Sequence, residues 1–255
     1  MGIRTDLAFE KTNFKNSNDF FEEKQDNFLL NFAKIDDKNY ATIYFDNIEK
    51  ITDFSPLENY FLKSMRMLEP NPENLLVVGL GNPEITADSI GPKICEKILA
   101  TRHITGNFAE KIGLENLKNV AVIAPNVLGK TGIEVQEILS GIIEKTKVKT
   151  VVVIDALCAK NKNRIFRTIQ LTDSGIAPGS GVKNKRREIS QNTLGVKVIA
   201  IGVPTVIQYP NDCENLIVTP KECDLLVTKI SDIISRFLNL YLQPEIDREI
   251  LLSLV

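Results

Sequence analysis

Two apolar runs of this chain each lead to an aspartate. Leu75-Leu76-Val77-Val78-Gly79-Leu80-Gly81 runs on to Asp88, and Val151-Val152-Val153-Ile154 ends in Asp155. Valine-rich runs of this length, followed by turn residues, read as fully buried strands of a parallel sheet. The carboxyl ends of such strands are where open α/β sheets hold their ligands. Two carboxylates brought to one cleft can share a proton and activate water as an acid/base pair. Asp88 and Asp155 are therefore the candidate catalytic residues, and the chemistry they predict is hydrolysis. Taken singly, each has a plainer role. Asp88, in Thr86-Ala87-Asp88-Ser89-Ile90-Gly91-Pro92, would be an acid favoured by a helix N-terminus, and Asp155 a strand-end cap. Their common edge is what favours a site.

The elements that must position this pair follow from the hydrophobic pattern. From Leu75 the order reads strand, helix over 86–102, strand over 120–124, helix over 133–147 and strand over 150–155. That alternation predicts a parallel sheet with right-handed crossovers. Further strands are expected at 166–171 and 198–203, on either side of a glycine-rich loop. A helix over 220–242 opened by Thr219, and a short one from Pro244, complete the main domain. Residues 1–70 read as a small N-terminal accessory region, with a strand over 40–45 and a helix over 55–68 capped by Ser55 with Pro56 in its first turn. Glu69-Pro70-Asn71-Pro72 interrupts the pattern, since proline removes a donor and restricts the residue before it. The α/β domain is accordingly placed at 71–255. The fold class is α/β, a mainly parallel twisted sheet flanked by helices.

Three other features could carry chemistry. Gly79-Leu80-Gly81-Asn82-Pro83-Glu84 resembles half of a dinucleotide fingerprint, but Glu84 stands where a third glycine should let a helix pack, and its charge would repel pyrophosphate. The glycines are better read as allowing a tight turn. The loop from Gly175 to Arg187 presents Gly179, Ser180 and Gly181 as backbone donors, with Lys183, Lys185 and Arg186 as cations for acidic side chains or phosphate. These six are the candidate substrate-binding residues, although basic residues in a polar loop are commonly just solvated. It is no P-loop, lacking the G-K-[ST] ending. A serine or cysteine mechanism would have to use Ser180 or Cys158 with His103, the single histidine, as base. His103 reads more simply as a helix C-terminal residue.

Composition sets the outer limits. With 255 residues and 43% hydrophobic content, the chain can bury a sizeable core. No run approaches the roughly 18 apolar residues of a membrane span, and no secretory signal opens the chain. A net charge of -2 exerts no overall pull on nucleic acid or anionic membrane. Cys95, Cys158, Cys213 and Cys223 form no C-x-x-C pair and read as reduced thiols of a cytoplasmic protein rather than a zinc site. No cofactor and no metal is expected.

Several segments in order resemble one family. They are Arg4-Thr5-Asp6-Leu7-Ala8-Phe9-Glu10, Val78-Gly-Leu-Gly-Asn82 followed by Asp88-Ser-Ile-Gly-Pro92, Thr101-Arg-His103, Ile123-Ala-Pro125 with Thr131-Gly-Ile-Glu134, Ile154-Asp-Ala-Leu157, Asp173 to Gly181, Ile199-Ala-Ile-Gly-Val-Pro-Thr205, and Val218-Thr-Pro-Lys-Glu222. Together they are similar to the germination protease of spore-forming bacteria, the endopeptidase that degrades small acid-soluble spore proteins. The resemblance implies an aspartic-type endopeptidase of the spore core, made as a self-processing zymogen and usually tetrameric. It also implies a fold related to the hydrogenase maturation proteases, and it places the family's two aspartates on Asp88 and Asp155. Asn126 and Lys130 stand where the resemblance leads one to expect Gly and Gln. Only Met1-Gly2-Ile3 precedes Arg4, so the expectation is a mature form or a compact branch regulated otherwise. Two rivals stay open: a non-catalytic peptide-binding relative, and a protein that binds a phosphorylated small molecule. A metal-assisted peptidase using the same acids is a further variant.

Overall fold

The computed structural model describes residues 19–104, 116–179, 186–208 and 216–254. Among these, nine strands form one sheet in the order β1-β2-β3-β7-β8-β6-β4-β5, with β9 paired to β8. The strands are β1 (Phe21–Gln25), β2 (Phe28–Ile35), β3 (Lys38–Phe45), β4 (Leu75–Gly79), β5 (Val120–Ile123), β6 (Thr150–Ala159), β7 (Thr168–Thr172), β8 (Lys197–Gln208) and β9 (Ile217–Val218). The helices are α1 (Ser55–Leu68), α2 (Ile90–Cys95), α3 (Leu128–Thr131), α4 (Val135–Thr146), α5 (Gln191–Leu194), α6 (Cys223–Leu242) and α7 (Arg248–Ser253).

The block β5-β4-β6-β8 is parallel, as the alternating pattern predicts. Beyond β8 every pairing is antiparallel, through β7 and β3 to β2 and β1. The strands β1, β2 and β3 thus extend the same sheet. Side chains alternate between two cores. On one face Val77, Val152, Ile154 and Ile201 pack with Phe61 of α1, Ile94 of α2 and Phe237 of α6. On the other Val78, Val151, Val153 and Val198 pack with Leu139 of α4 and Leu194 of α5.

Four boundaries differ from expectation, each for a local reason. The helix expected over 86–102 is a 3₁₀ turn at Thr86–Asp88 and the short α2. Its continuation is prevented because the Asn239 side chain of α6 takes the Leu99 N–H at 2.9 Å and donates to the Lys97 carbonyl at 2.8 Å. Phe166 has φ +52°, outside the β region, so β7 starts later, at Thr168. Ser55 is the first helical residue and not the cap, its N–H being held by Asp53 Oδ1 at 2.9 Å. Thr219 does not cap α6, which starts at Cys223; its hydroxyl donates to the Thr205 carbonyl at 2.8 Å.

Candidate active site

The site lies where the strand order reverses. From β4 the chain crosses by α2 to β5 on one side, then returns by α4 to β6 on the other side of β4. The two crossovers leave by opposite faces, and a crevice opens between the carboxyl ends of β4 and β6.

Asp155 is a residue of β6 itself, not of the turn after it. The strand continues to Ala159 because β8 runs alongside and supplies partners. β4 stops sooner, with Gly79 opposite Ile154. Asp155 is therefore the first residue of β6 without a β4 partner, and its side chain lies on the α4 face at the mouth of the crevice. It is 6% exposed, and its Oδ1 accepts the Ala156 N–H at 2.9 Å.

Asp88 reaches the crevice by a different construction. It closes the 3₁₀ turn after β4, and its Oδ2 accepts the Asn82 N–H at 2.7 Å. The turn is pressed against the strand end at Gly81, whose φ is +114° and where a Cβ would stand 1.9 Å from the Asp88 carbonyl oxygen. Only glycine fits that approach. One turn on, a Cβ on Gly79 would come within 2.3 Å of the Gly91 carbonyl oxygen. The half-motif Gly79-Leu80-Gly81 is thus a packing device for the Asp88 turn. Burial pushes the Asp88 carboxyl above the ordinary aspartate range, with the Asn82 N–H opposing.

Both carboxylates line one cleft of about 180 Å³, shared with Glu134, Cys158, Arg186 and Thr205. Of the loop residues expected to bind substrate, Gly179 and Arg186 line this cleft, held there by the bridge between Ile176 and Ile189 that closes the loop. Ser180, Gly181, Lys183 and Lys185 lie outside the described residues, as does the segment from Arg4 to Glu10. His103 is exposed in a turn close to where Thr101 and Arg102 donate to the Val120 carbonyl at the start of β5. That is the amino edge of the sheet, opposite the cleft that Cys158 lines, so His103 is not placed to serve Cys158 as base. Cys158 is buried.

Sequence reasoning assigned no site role to Glu134, Asn126 or Thr205. Glu134 precedes α4 directly and lines the cleft from its N-terminus. Asn126 holds φ +68°, a conformation that asparagine tolerates and glycine favours, which accounts for Asn where Gly was expected. Lys130 of α3 pairs with Glu84 at 2.5 Å across the crevice wall. Among the described residues, no three His, Cys, Asp or Glu side chains are grouped so as to hold a metal ion. No helix among them is long and apolar enough to cross a membrane.

Two aspartates line one cleft over the strand-order reversal of an α/β sheet, the place where sheets of this class hold their ligands. The chain belongs to the germination protease family, which it matches over residues 15–213. It is 46% identical over 178 residues to a germination protease of Geobacillus sp., covering 66% of this chain and 47% of that protein. With the Oceanobacillus iheyensis germination protease it shares 39% identity over 238 residues, covering 80% of this chain and 64% of that one. The figures for the Clostridium acetobutylicum germination protease are 38% over 218 residues, 68% and 66%. The chain thus spans from about half to just under two thirds of these relatives' length. Among solved structures it is similar to the [NiFe] hydrogenase maturation protease HycI of Thermococcus kodakarensis, at TM-score 0.40 and 15% identity over 72% of this chain and 99% of that one. A likeness of that size bears on no residue of the cleft.

Proposed function

We propose that this protein is an endopeptidase that degrades small acid-soluble spore proteins during germination, and that Asp88 and Asp155 activate the attacking water. The observation that carries the reading is that two carboxylates, Asp155 buried and Asp88 half-buried, line one cleft, Asp88 with its pKa raised by burial. A raised pKa suits Asp88 to hold the shared proton, leaving Asp155 as the carboxylate base. A peptide lies along the cleft, with its acidic side chains toward Arg186. Asp155 takes a proton from water as its oxygen bonds to the scissile carbonyl carbon. Asp88 gives its proton to the departing amine as the C–N bond breaks, and the proton on Asp155 returns to Asp88 to restore the pair. The family's aspartic-type chemistry, its tetrameric assembly and its place in the spore core are part of the same proposal.

The test is incubation of wild type, Asp88→Asn and Asp155→Asn with a small acid-soluble spore protein from mildly acidic to neutral pH, with and without chelator, reading fragments by mass. Chelator-resistant cleavage by wild type that is lost in both variants supports the pair. Cleavage abolished by chelator moves the mechanism to a metal held by the same acids. Tight binding without fragments makes the protein a peptide-binding relative.

A further inference from the structure

We infer that the hydroxyl of Thr205 is a third polar group of the peptide site, donating a hydrogen bond to a backbone carbonyl oxygen of the bound chain. The inference rests on the peptidase reading above, and it assigns the cleft a donor that the two carboxylates lack.

Three independent observations meet at this residue. Along β6 and β8 the register runs evenly until Leu157 pairs with Pro204, and the next pair is Cys158 with Val206. Thr205 is left over between them. An extra residue of this kind bends its strand and re-aims a side chain, and such bulges gather beside active sites. Pro204 fits the interruption because it brings no N–H to the ladder. The bulge is pinned on its far side, where the Thr219 hydroxyl donates to the Thr205 carbonyl at 2.8 Å.

The second observation is that Thr205 lines the same cleft as Asp88 and Asp155. The third is that its Oγ1 is buried without a hydrogen-bond partner, in a residue that is 0% exposed. A buried hydroxyl left unsatisfied destabilises the folded state, which native structures avoid unless the group has another use. The hydroxyl is closed to water in a residue that lines the cleft, so a bound chain meets it by a small shift of the cleft wall around Thr205. The carboxylate pair accepts hydrogen bonds and offers at most its one shared proton. A peptide carbonyl whose oxygen gains negative charge during attack needs a donor, and a prearranged neutral donor in a water-poor cleft is effective there.

The experiment compares wild type, Thr205→Val and Thr205→Ser in kcat, KM and melting temperature on a small acid-soluble spore protein. It also measures affinity for the uncut substrate in an Asp155→Asn background with and without Thr205→Val. Valine keeps the branched shape and puts a methyl group in place of the hydroxyl. The expected result is a loss of roughly 10²-fold in kcat/KM, the order seen when one such donor is removed. The melting temperature should stay unchanged or rise, and serine should recover most of the turnover. Wild-type kinetics in Thr205→Val overturns the inference and leaves the hydroxyl a packing defect. A loss that serine does not recover also overturns it, since the shape of the bulge would then be what matters. Should wild type cut nothing, the peptidase reading fails separately, and equal binding with and without the hydroxyl would sink the Thr205 assignment on its own.

Discussion

The two aspartates occupy regions built on opposite principles. Asp155 belongs to the interior of a strand. Its backbone is fixed by the ladder to β8, and its neighbours Val151, Val153 and Ile154 are fully buried. Asp88 belongs to a turn held by contact geometry: a glycine with φ +114° beneath it, a second glycine contact behind, and one backbone N–H on its carboxylate. One wall of the cleft is thus held by strand pairing and the other by close contact. The strand fixes where Asp155 stands, and the turn sets how far Asp88 is taken out of water.

The hardest test of this contrast is turnover in the two asparagine variants. Removal of either member of a shared-proton pair should lower kcat by about 10²–10⁴, the usual contribution of a positioned acid or base. Initial rates on a spore protein substrate measure it. Equal losses would mark a working pair, while unchanged turnover in one variant would take that aspartate out of the mechanism.

Backbone geometry gives the next largest effects and separates the two walls. Gly81→Ala would force a methyl against the Asp88 carbonyl oxygen in a conformation that disfavours side chains. The expected cost is about 1–3 kcal/mol of stability, with turnover lost even well below the melting temperature because the turn moves. Val153→Ala, in the strand wall, should cost a similar amount through its cavity yet keep most of its turnover at low temperature. Denaturant melts and rates at two temperatures check both. Preserved activity in Gly81→Ala would mean that the turn is not placed by that contact.

How much of this could be read from residues alone follows the same division. The strand wall was legible because valine-rich runs bounded by turns have few other readings, and β4, β5, β6 and β8 fall where the pattern put them. Asp155 stands out for that reason, although its strand runs on further than expected, since the support from β8 is a tertiary fact. The turn wall was legible only in part. Gly79 and Gly81 signalled close approach, but what approached them was the Asp88 turn, and no local pattern says so. The shortening of the helix expected over 86–102 depends on Asn239, about 140 residues away, whose amide competes for helix hydrogen bonds. The antiparallel half stayed unread because β3 pairs with β7 across a large separation in sequence. Thr205 lies two residues beyond the strand expected over 198–203, and a register shift has no signature in one strand alone.

The pH dependence of stability probes the tuned wall directly. The folded-state pKa of Asp88 lies above its unfolded value because burial penalises the charge. Between those two values the folded protein holds more protons than the unfolded one, so stability falls as pH rises through that window. The contribution is fully present below the ordinary aspartate pKa and is lost once the folded Asp88 ionises. Asp88→Asn, which carries no charge and keeps an acceptor for the Asn82 N–H, should therefore be more stable than wild type at neutral pH. The gap should close on acidification. Melting temperatures of both proteins from pH 3 to 7 measure it, and a constant difference across that range would mean that Asp88 is not held out of water.

The smallest expected effect decides whether contact or charge holds the turn wall in place. Lys130 and Glu84 join α3 to the segment leading into the Asp88 turn, but their side chains are 46% and 69% exposed. Exposed pairs of this kind contribute about 0.2–1 kcal/mol, reduced further by salt. A double-mutant cycle of Lys130→Ala with Glu84→Gln should give a coupling within that range, and turnover should change less than twofold. A coupling well beyond it, with turnover falling as salt is raised, would make the ion pair the support of the Asp88 turn. The glycine contact at Gly81 would then be a consequence of that placement and not its cause.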